Sequence, residues 1–396
     1  MKSTVNQSHI RSINQRVILN YISQVDFISR ASLSRRVKLS KVAIAENISF
    51  LLDLGIVKEA GTGKSKESGG RRPILLEFNR EYKHIIAIDL VSEDAIFSLA
   101  NLSGEIQNQF TIQVKSTSPY STRLDLLKNA IYLLLSSQNL VPDDIAIIAI
   151  SAPGIFQTNG IKYQANKQFQ NWRMTDLSEQ LEEAFTTEVL IVNDVNAAAI
   201  GELNHGAGKG FSNMSYISCG LGIGAGIILN KTLHEGGSNS AGEIGNFITS
   251  GFKESSTRLE DKVNINSLLN RIRQEAPKET LATLPCQETF SFKEVVNLWK
   301  SGDPFIEKCI NDIAKDLGVA ISNIVSLLNV DLIILGGEYQ VFSNHTLPII
   351  NEIVVQNTFS PVQVVQSKLK CNASIYGLLT IAKERVFDQI CAQNIK

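Results

Sequence analysis

The sequence predicts an α/β protein: an N-terminal winged helix-turn-helix domain over residues 1–80, then a larger two-lobed domain over 81–396. Three observations carry this. First, residues 1–80 hold 14 Lys/Arg and 6 Asp/Glu, while the rest of the chain holds 24 and 33, so a basic head of net +8 is joined to an acidic body of net −9. Second, the head reads as short helices followed by two strands around a basic, glycine-rich loop. Third, the body shows one element order twice: a strand meander, a helix, then a buried strand ending in glycine.

The head is read from its N-terminal side. Val17, Ile18, Tyr21 and Ile22 stand at helical spacing. A second short helix runs from Arg30 to Val37, with Leu33 and Val37 four apart. Ser40 is placed to cap a third helix, from about Lys41 to Leu54, and Gly55 ends it. Its apolar stripe is Ile44, Ala45, Ile48, Leu51 and Leu52. Its other face offers Ser40, Lys41, Ala43, Glu46 and Asn47 near the N-terminal turn, the part of a recognition helix that meets the major groove of double-stranded DNA. Strands over Ile56–Ala60 and Ile74–Phe78 flank a loop with Lys64, Lys66, Arg71 and Arg72, a wing whose cations suit phosphates or a minor groove.

In the body, strands are expected at HIIAIDLV from His84, AIFSLANL from Ala95 and IQNQFTIQV from Ile106. A helix over Thr122–Ser136 follows, then a buried strand, Ile145–Ser151, running into Ala152-Pro153-Gly154. The second half places strands at MSYISC and GAGIILN and near Lys231–His234, a helix over Phe305–Leu328, and the buried strand VDLIILGG. A further helix is expected over Arg258–Arg273. Ligands of such folds gather at strand C-termini, which directs attention to Asp89, Gly154, Asn193-Asp194, Gly220–Gly226 and Gly336-Gly337.

Composition removes several classes. The five cysteines form no CxxC pair, which argues against a zinc ribbon or redox dithiol and fits a reducing cytosol. The N-terminus lacks the apolar core of a signal peptide, and no apolar run approaches the roughly 18 residues of a membrane helix. A cytoplasmic protein without a membrane partner is expected.

Six segments together resemble the ROK family of repressors, open reading frames and sugar kinases: SRASLSRRVKLSK in the head, SGGRRP in the wing, NDVNAAAIGE at 193–202, GIGAGII at 222–228, AGEIGN at 241–246 and ILGGE at 334–338. SGGRRP and the later Asn171-Trp172 look most like its xylose-repressor group. The resemblance implies an actin-like (ribonuclease-H-like) body with lobes at about 81–197 plus the C-terminal helix and at 198–374. It also implies a sugar-responsive repressor on a palindromic operator, acting as a homodimer or higher homo-oligomer, with a monosaccharide effector bound between the lobes and xylose as the sugar that the subgroup suggests.

The same resemblance assigns the sugar ligands. Asp194 matches the carboxylate that meets a sugar hydroxyl, as base in the kinases and as plain acceptor in repressors; Asn193 precedes it, and both can also cap the following helix. Asn166 matches an upstream sugar-binding asparagine, and Trp172 reads as packing. Glu243 falls on a sugar-binding glutamate, and Glu260 stands where a second one is found. Asn246 replaces the family histidine that binds sugar and ligates zinc, and FITSGFKESSTRLED lacks the cysteines of the metal loop, so no metal is expected. The altered site leaves a regulator with a changed or lost sugar as the alternative.

Kinase chemistry is the least favoured reading. Asp89-Leu90-Val91-Ser92-Glu93-Asp94 lacks the glycines of the family's first phosphate loop and adds two acids that repel ATP. Leu221 stands where kinases carry a hydroxyl. The chain is expected to be no enzyme and to need no cofactor.

Overall fold

The computed structural model describes residues 7–63, 72–91, 93–115, 117–154, 174–251, 256–286 and 289–393. In the head, helix α1 (Gln7–Ile22) begins earlier than its apolar spacing indicated and buries Ile18, Leu19 and Ile22. Strand β1 (Ile28–Ser29) leads into α2 (Arg30–Val37), which Ser29 caps by accepting the Ser32 amide. Lys38 takes the left-handed conformation, φ 58°, and allows the tight turn into α3 (Lys41–Asp53). Gly55, at φ 78°, ends that helix as expected. Strands β2 (Val57–Thr62) and β3 (Ile74–Phe78) form the wing, and the sheet order β1-β3-β2 adds a two-residue strand that the sequence did not signal.

The body opens with β4 (His84–Asp89), β5 (Asp94–Asn101) and β6 (Ile106–Gln113), an antiparallel meander. Then come α4 (Tyr120–Ser137), β7 (Ile145–Ala152), α5 (Met174–Phe185) and β8 (Glu188–Asn193). These strands make one sheet in the order β6-β5-β4-β7-β8. Every residue of β4 is buried, whereas edge strand β6 alternates.

The second half begins with α6 (Asp194–His205), β9 (Met214–Cys219), β10 (Ile223–Leu229) and β11 (Thr232–Leu233). The expected helix over Arg258–Arg273 is instead a hairpin and two helices: β12 (Ile248–Ser250), β13 (Thr257–Arg258), α7 (Leu259–Val263) and α8 (Ile265–Glu275). Asn264 causes the break, because it turns extended and caps α8 by accepting the Ser267 amide at 2.7 Å. Helices α9 (Lys278–Ala282), α10 (Phe292–Lys300) and α11 (Pro304–Leu328) lead to β14 (Leu332–Gly336). Last come α12 (Ser343–Asn357), β15 (Gln363–Gln366) and α13 (Ala373–Ala392). The second sheet runs β11-β10-β9-β14-β15, with β9, β14 and β15 parallel. Its largest core cluster includes Ile306, Ile310, Ile313, Leu317, Ile321 and Ile324, all on one face of α11.

The described residues fall into two compact units. One holds residues up to 150, 174–191 and 379–393; the other holds 151–154 and Val192–Leu378. The head thus shares a unit with the first sheet and most of α13. The contacts within that unit explain this. Arg16 of α1 pairs with Glu384 and with Asp388 (3.0 Å), and its guanidinium lies 5.2 Å from the centre of the Phe387 ring. Phe387 packs edge-on against Phe78 of the wing at 5.7 Å, and Lys383 sits over both rings. Arg80 holds Asp26 at 3.4 Å and Glu105 at 2.8 Å.

Candidate functional site

The candidate effector site lies within the second unit and is organised around β10. Its alternate glycines admit a helix on one side. A methyl built on Gly224 would lie 3.3 Å from Val195 Cγ2, and one on Gly226 would lie 2.5 Å from Ala199 Cβ. Helix α6 can therefore pack backbone-close, which places Asp194, half-buried in its first turn, near this strand. Asn193 caps α6: its Oδ1 accepts the Asn196 amide at 2.9 Å, and its Nδ2 donates to the Gly154 carbonyl at 3.0 Å. Both ends of that amide thus serve the protein itself.

The turn bearing Glu243 and Asn246 is fixed by the same strand. The Ala225 amide donates to the Gly242 carbonyl at 2.8 Å. Gly242 has φ 89°, and a methyl there would lie 1.7 Å from the Ala225 carbonyl oxygen, so only glycine fits. A methyl on Gly245 would lie 3.4 Å from Glu260 Cβ, and one on Gly222 would lie 3.7 Å from Glu260 Oε1. Glu243, Asn246 and Glu260 are thereby drawn together. Arg258 Nη1 donates to Asn246 Oδ1, and the Leu259 amide donates to the Phe247 carbonyl at 2.8 Å.

The carboxyl groups feel one another. Burial, then repulsion by Glu260, raises the Glu243 pKa, although the residue as a whole still presents surface to solvent. Burial and Asp261 raise that of Glu260, against the pull of Arg258. Such carboxylates accept hydrogen bonds from hydroxyls and suit a polyol. Asn166 lies outside the described residues.

The residues present do not suit a structural zinc ion. Asn246 holds an arginine through its oxygen, and among the described residues no group of three or more His, Cys, Asp or Glu is placed to hold a metal. The glycine loop after β9 carries an acid as well. A methyl on Gly220 would lie 1.5 Å from Glu338 Oε2, so that carboxylate rests directly on the loop. Burial, then Glu338, pushes the Cys219 thiol up to about 12, which leaves it protonated and unreactive.

In the head, Ser40 caps α3 by accepting the Ala43 amide at 3.1 Å, while Ser40, Lys41 and Glu46 are exposed and Ala43 is half-buried. Glu46 pairs with Arg11 of α1 at 3.8 Å. Asn47 corrects the expectation. It is buried, not outward-facing, because it shares the face of Ile44, Ile48 and Leu51, and it donates to the Ala43 carbonyl at 2.7 Å. Ala45, assigned to the apolar stripe, is exposed for the complementary reason. Sequence reading also passed over Val42, an apolar side chain 68% exposed on the first turn of α3. Its outward position at the start of a capped helix was the available signal. Arg72 is exposed beside the wing; Lys64, Lys66 and Arg71 lie outside the described residues.

A winged-helix head followed by two α/β sheets defines an actin-like protein with an added winged-helix domain. The family model described as the ROK family matches residues 85–385, and the chain belongs to that family. It is 28% identical over 391 residues to the xylose repressor of Caldicellulosiruptor bescii, covering 95% of this chain and 96% of that one. A solved ROK family transcriptional regulator, a homolog of the E. coli MLC protein, matches with TM-score 0.78 and 21% identity over 98% of this chain and 99% of that one. A ROK family glucokinase from Streptomyces griseus matches with TM-score 0.62 and 20% identity over 75% of this chain and 98% of its own. At these identities the two structures bear on the fold alone. Among the described residues no helix is long and apolar enough to cross a membrane.

Proposed function

We propose that this protein is a sugar-responsive transcriptional repressor. What supports the reading is a head whose third helix is capped and solvent-facing over its first turn, joined to a body in which Glu243 and Glu260 are close enough to repel, with Asp194 at the start of α6, the helix packed on β10. The head binds a palindromic operator as part of a dimer, since one winged helix reads only a half-site. Lys41 and Arg72, with Lys64, Lys66 and Arg71, supply phosphate contacts. A monosaccharide binds through Asp194, Glu243 and Glu260, with Asn166, and shifts the protein between states of different operator affinity. The similarity to a xylose repressor supports xylose as the first sugar to try. Glu338 on the Gly220 loop supports a sensor and not a kinase, because a carboxylate there opposes a phosphate.

Thermal unfolding with millimolar xylose, glucose and N-acetylglucosamine tests the reading. A ligand of the folded state adds about 2.7 kcal/mol at a hundredfold excess over its dissociation constant. One sugar is expected to raise the melting temperature, and Asp194→Ala and Glu243→Ala to abolish that rise. No shift with any sugar, or sugar-dependent ATP turnover, would sink it. Asn246, where the family resemblance implies a histidine, favours a second reading in which the sensor has a changed or lost sugar. A melting shift with a sugar other than xylose would select it.

A further inference from the structure

Helix α13 is anchored at both ends. Its first turns meet α6 within the second unit. A methyl on Gly201 would lie 2.0 Å from the Ala373 carbonyl oxygen, and one on Gly377 would lie 1.7 Å from that of Ala197, so the two backbones touch. The His205 and Tyr376 rings meet at 5.3 Å. Just before α13, the fully buried Glu202 of α6 accepts the Leu369 amide at 2.9 Å and the Ser367 hydroxyl. At the far end, within the first unit, Lys383, Glu384, Phe387 and Asp388 hold Arg16 and Phe78 of the head.

We propose that α13 carries the state of the effector site to the head: α6, which begins at Asp194, is locked to the start of α13, and the end of α13 is latched to α1 and the wing. This rests on the effector reading above. A helix of 20 residues is a stiff element about 30 Å long. The α6–α13 seam is tight, since glycines bring the backbones into contact and the buried Glu202 carboxylate ties α6 to the segment just before α13. A displacement of α6 must therefore be taken up by α13, and met at Arg16. Packed elements of this kind switch between discrete arrangements instead of yielding gradually.

Two experiments on the full chain test this. The first uses no ligand. Amide hydrogen exchange is compared between wild type, Glu202→Gln and the milder Ser367→Ala, with Ile310→Val in α11 as a control matched in melting temperature. Faster exchange over 10–22 of α1, at least about threefold, is expected in the seam variants and not in the control. Faster exchange confined to α6 and 367–378 would overturn the proposal. The second measures how far sugar and operator weaken each other's binding, expected at about 5–150-fold in wild type. Arg16→Ala should bring this factor within about twofold of unity while leaving sugar affinity of the DNA-free protein unchanged, and Arg16→Lys should restore part of it. A wild-type factor retained in Arg16→Ala would also overturn the proposal. No mutual effect in wild type with any sugar would count against the effector reading, and the exchange arm would still decide the role of α13.

Discussion

The Glu202 carboxylate and the Ser367 hydroxyl, 165 residues apart in sequence, are hydrogen-bonded in a site from which solvent is excluded. The same carboxylate accepts the amides of Ala207 at 2.7 Å and Leu369 at 2.9 Å. Removing it strands the buried Ser367 hydroxyl and two partly buried amides, at roughly 1–3 kcal/mol each. Glu202→Ala is therefore expected to destabilise the protein by about 3 kcal/mol or more, read as a fall in the urea midpoint. A midpoint within error of wild type would show that the seam is looser than described.

Gly377→Ala opposes two effects. Helix propensity favours alanine by about 1 kcal/mol. The new methyl, however, would lie 1.7 Å from the Ala197 carbonyl oxygen, so the helices must separate. Overpacking of this kind costs about 1–3 kcal/mol or more, and a net loss is expected. A raised melting temperature in Gly377→Ala would contradict the backbone contact.

Ser40→Ala removes the cap of α3, worth about 1 kcal/mol. Exchange of the first-turn amides of α3 should speed up, and operator affinity should fall as that turn frays. The Arg71→Ala, Arg72→Ala pair acts otherwise: affinity should drop and the slope of log affinity against log salt should flatten by about 1–2. A slope equal to wild type in a gel-shift titration refutes the wing contacts.

Glu243 sets a pH dependence. Its folded pKa is raised above the ordinary glutamate value by burial and by Glu260, so the folded state binds this proton more tightly than the unfolded chain. Its contribution to stability is complete below about 4.5 and declines as pH rises through the raised value. Glu243→Gln is expected to be more stable than wild type at neutral pH, by less than about 1 kcal/mol because solvent screens the site. The gain should vanish as pH falls toward 4.5. Melting curves across pH 4–8 check this, and a gain that grows toward acid would reverse the assignment.

Local pattern was enough to specify most elements. Apolar spacing, the Ser40 cap and Gly55 place α3 within about a residue of its expected ends, because periodicity and capping act over one or two turns. Strands β4, β7, β9 and β14 were legible as apolar runs ended by polar or glycine residues. The resemblance of the motifs at 193–202 and 241–246 to the ROK family pointed to Asp194 and Glu243, while local pattern by itself implied only a capped helix start at 193–194.

Elsewhere the reading failed where competing local signals needed tertiary arbitration. Asn47 looked outward by polarity, yet its position on the stripe with Ile44 and Leu51 buries it. The helix over Arg258–Arg273 split because Asn264 found a better partner in the Ser267 amide. The bond from Glu202 to Ser367, the passage of α13 from Gly201 to Arg16 and the carboxylate of Glu338 on Gly220 left no trace in periodicity or composition. Each joins residues far apart in the chain, and such contacts come into being only when the core brings their elements together.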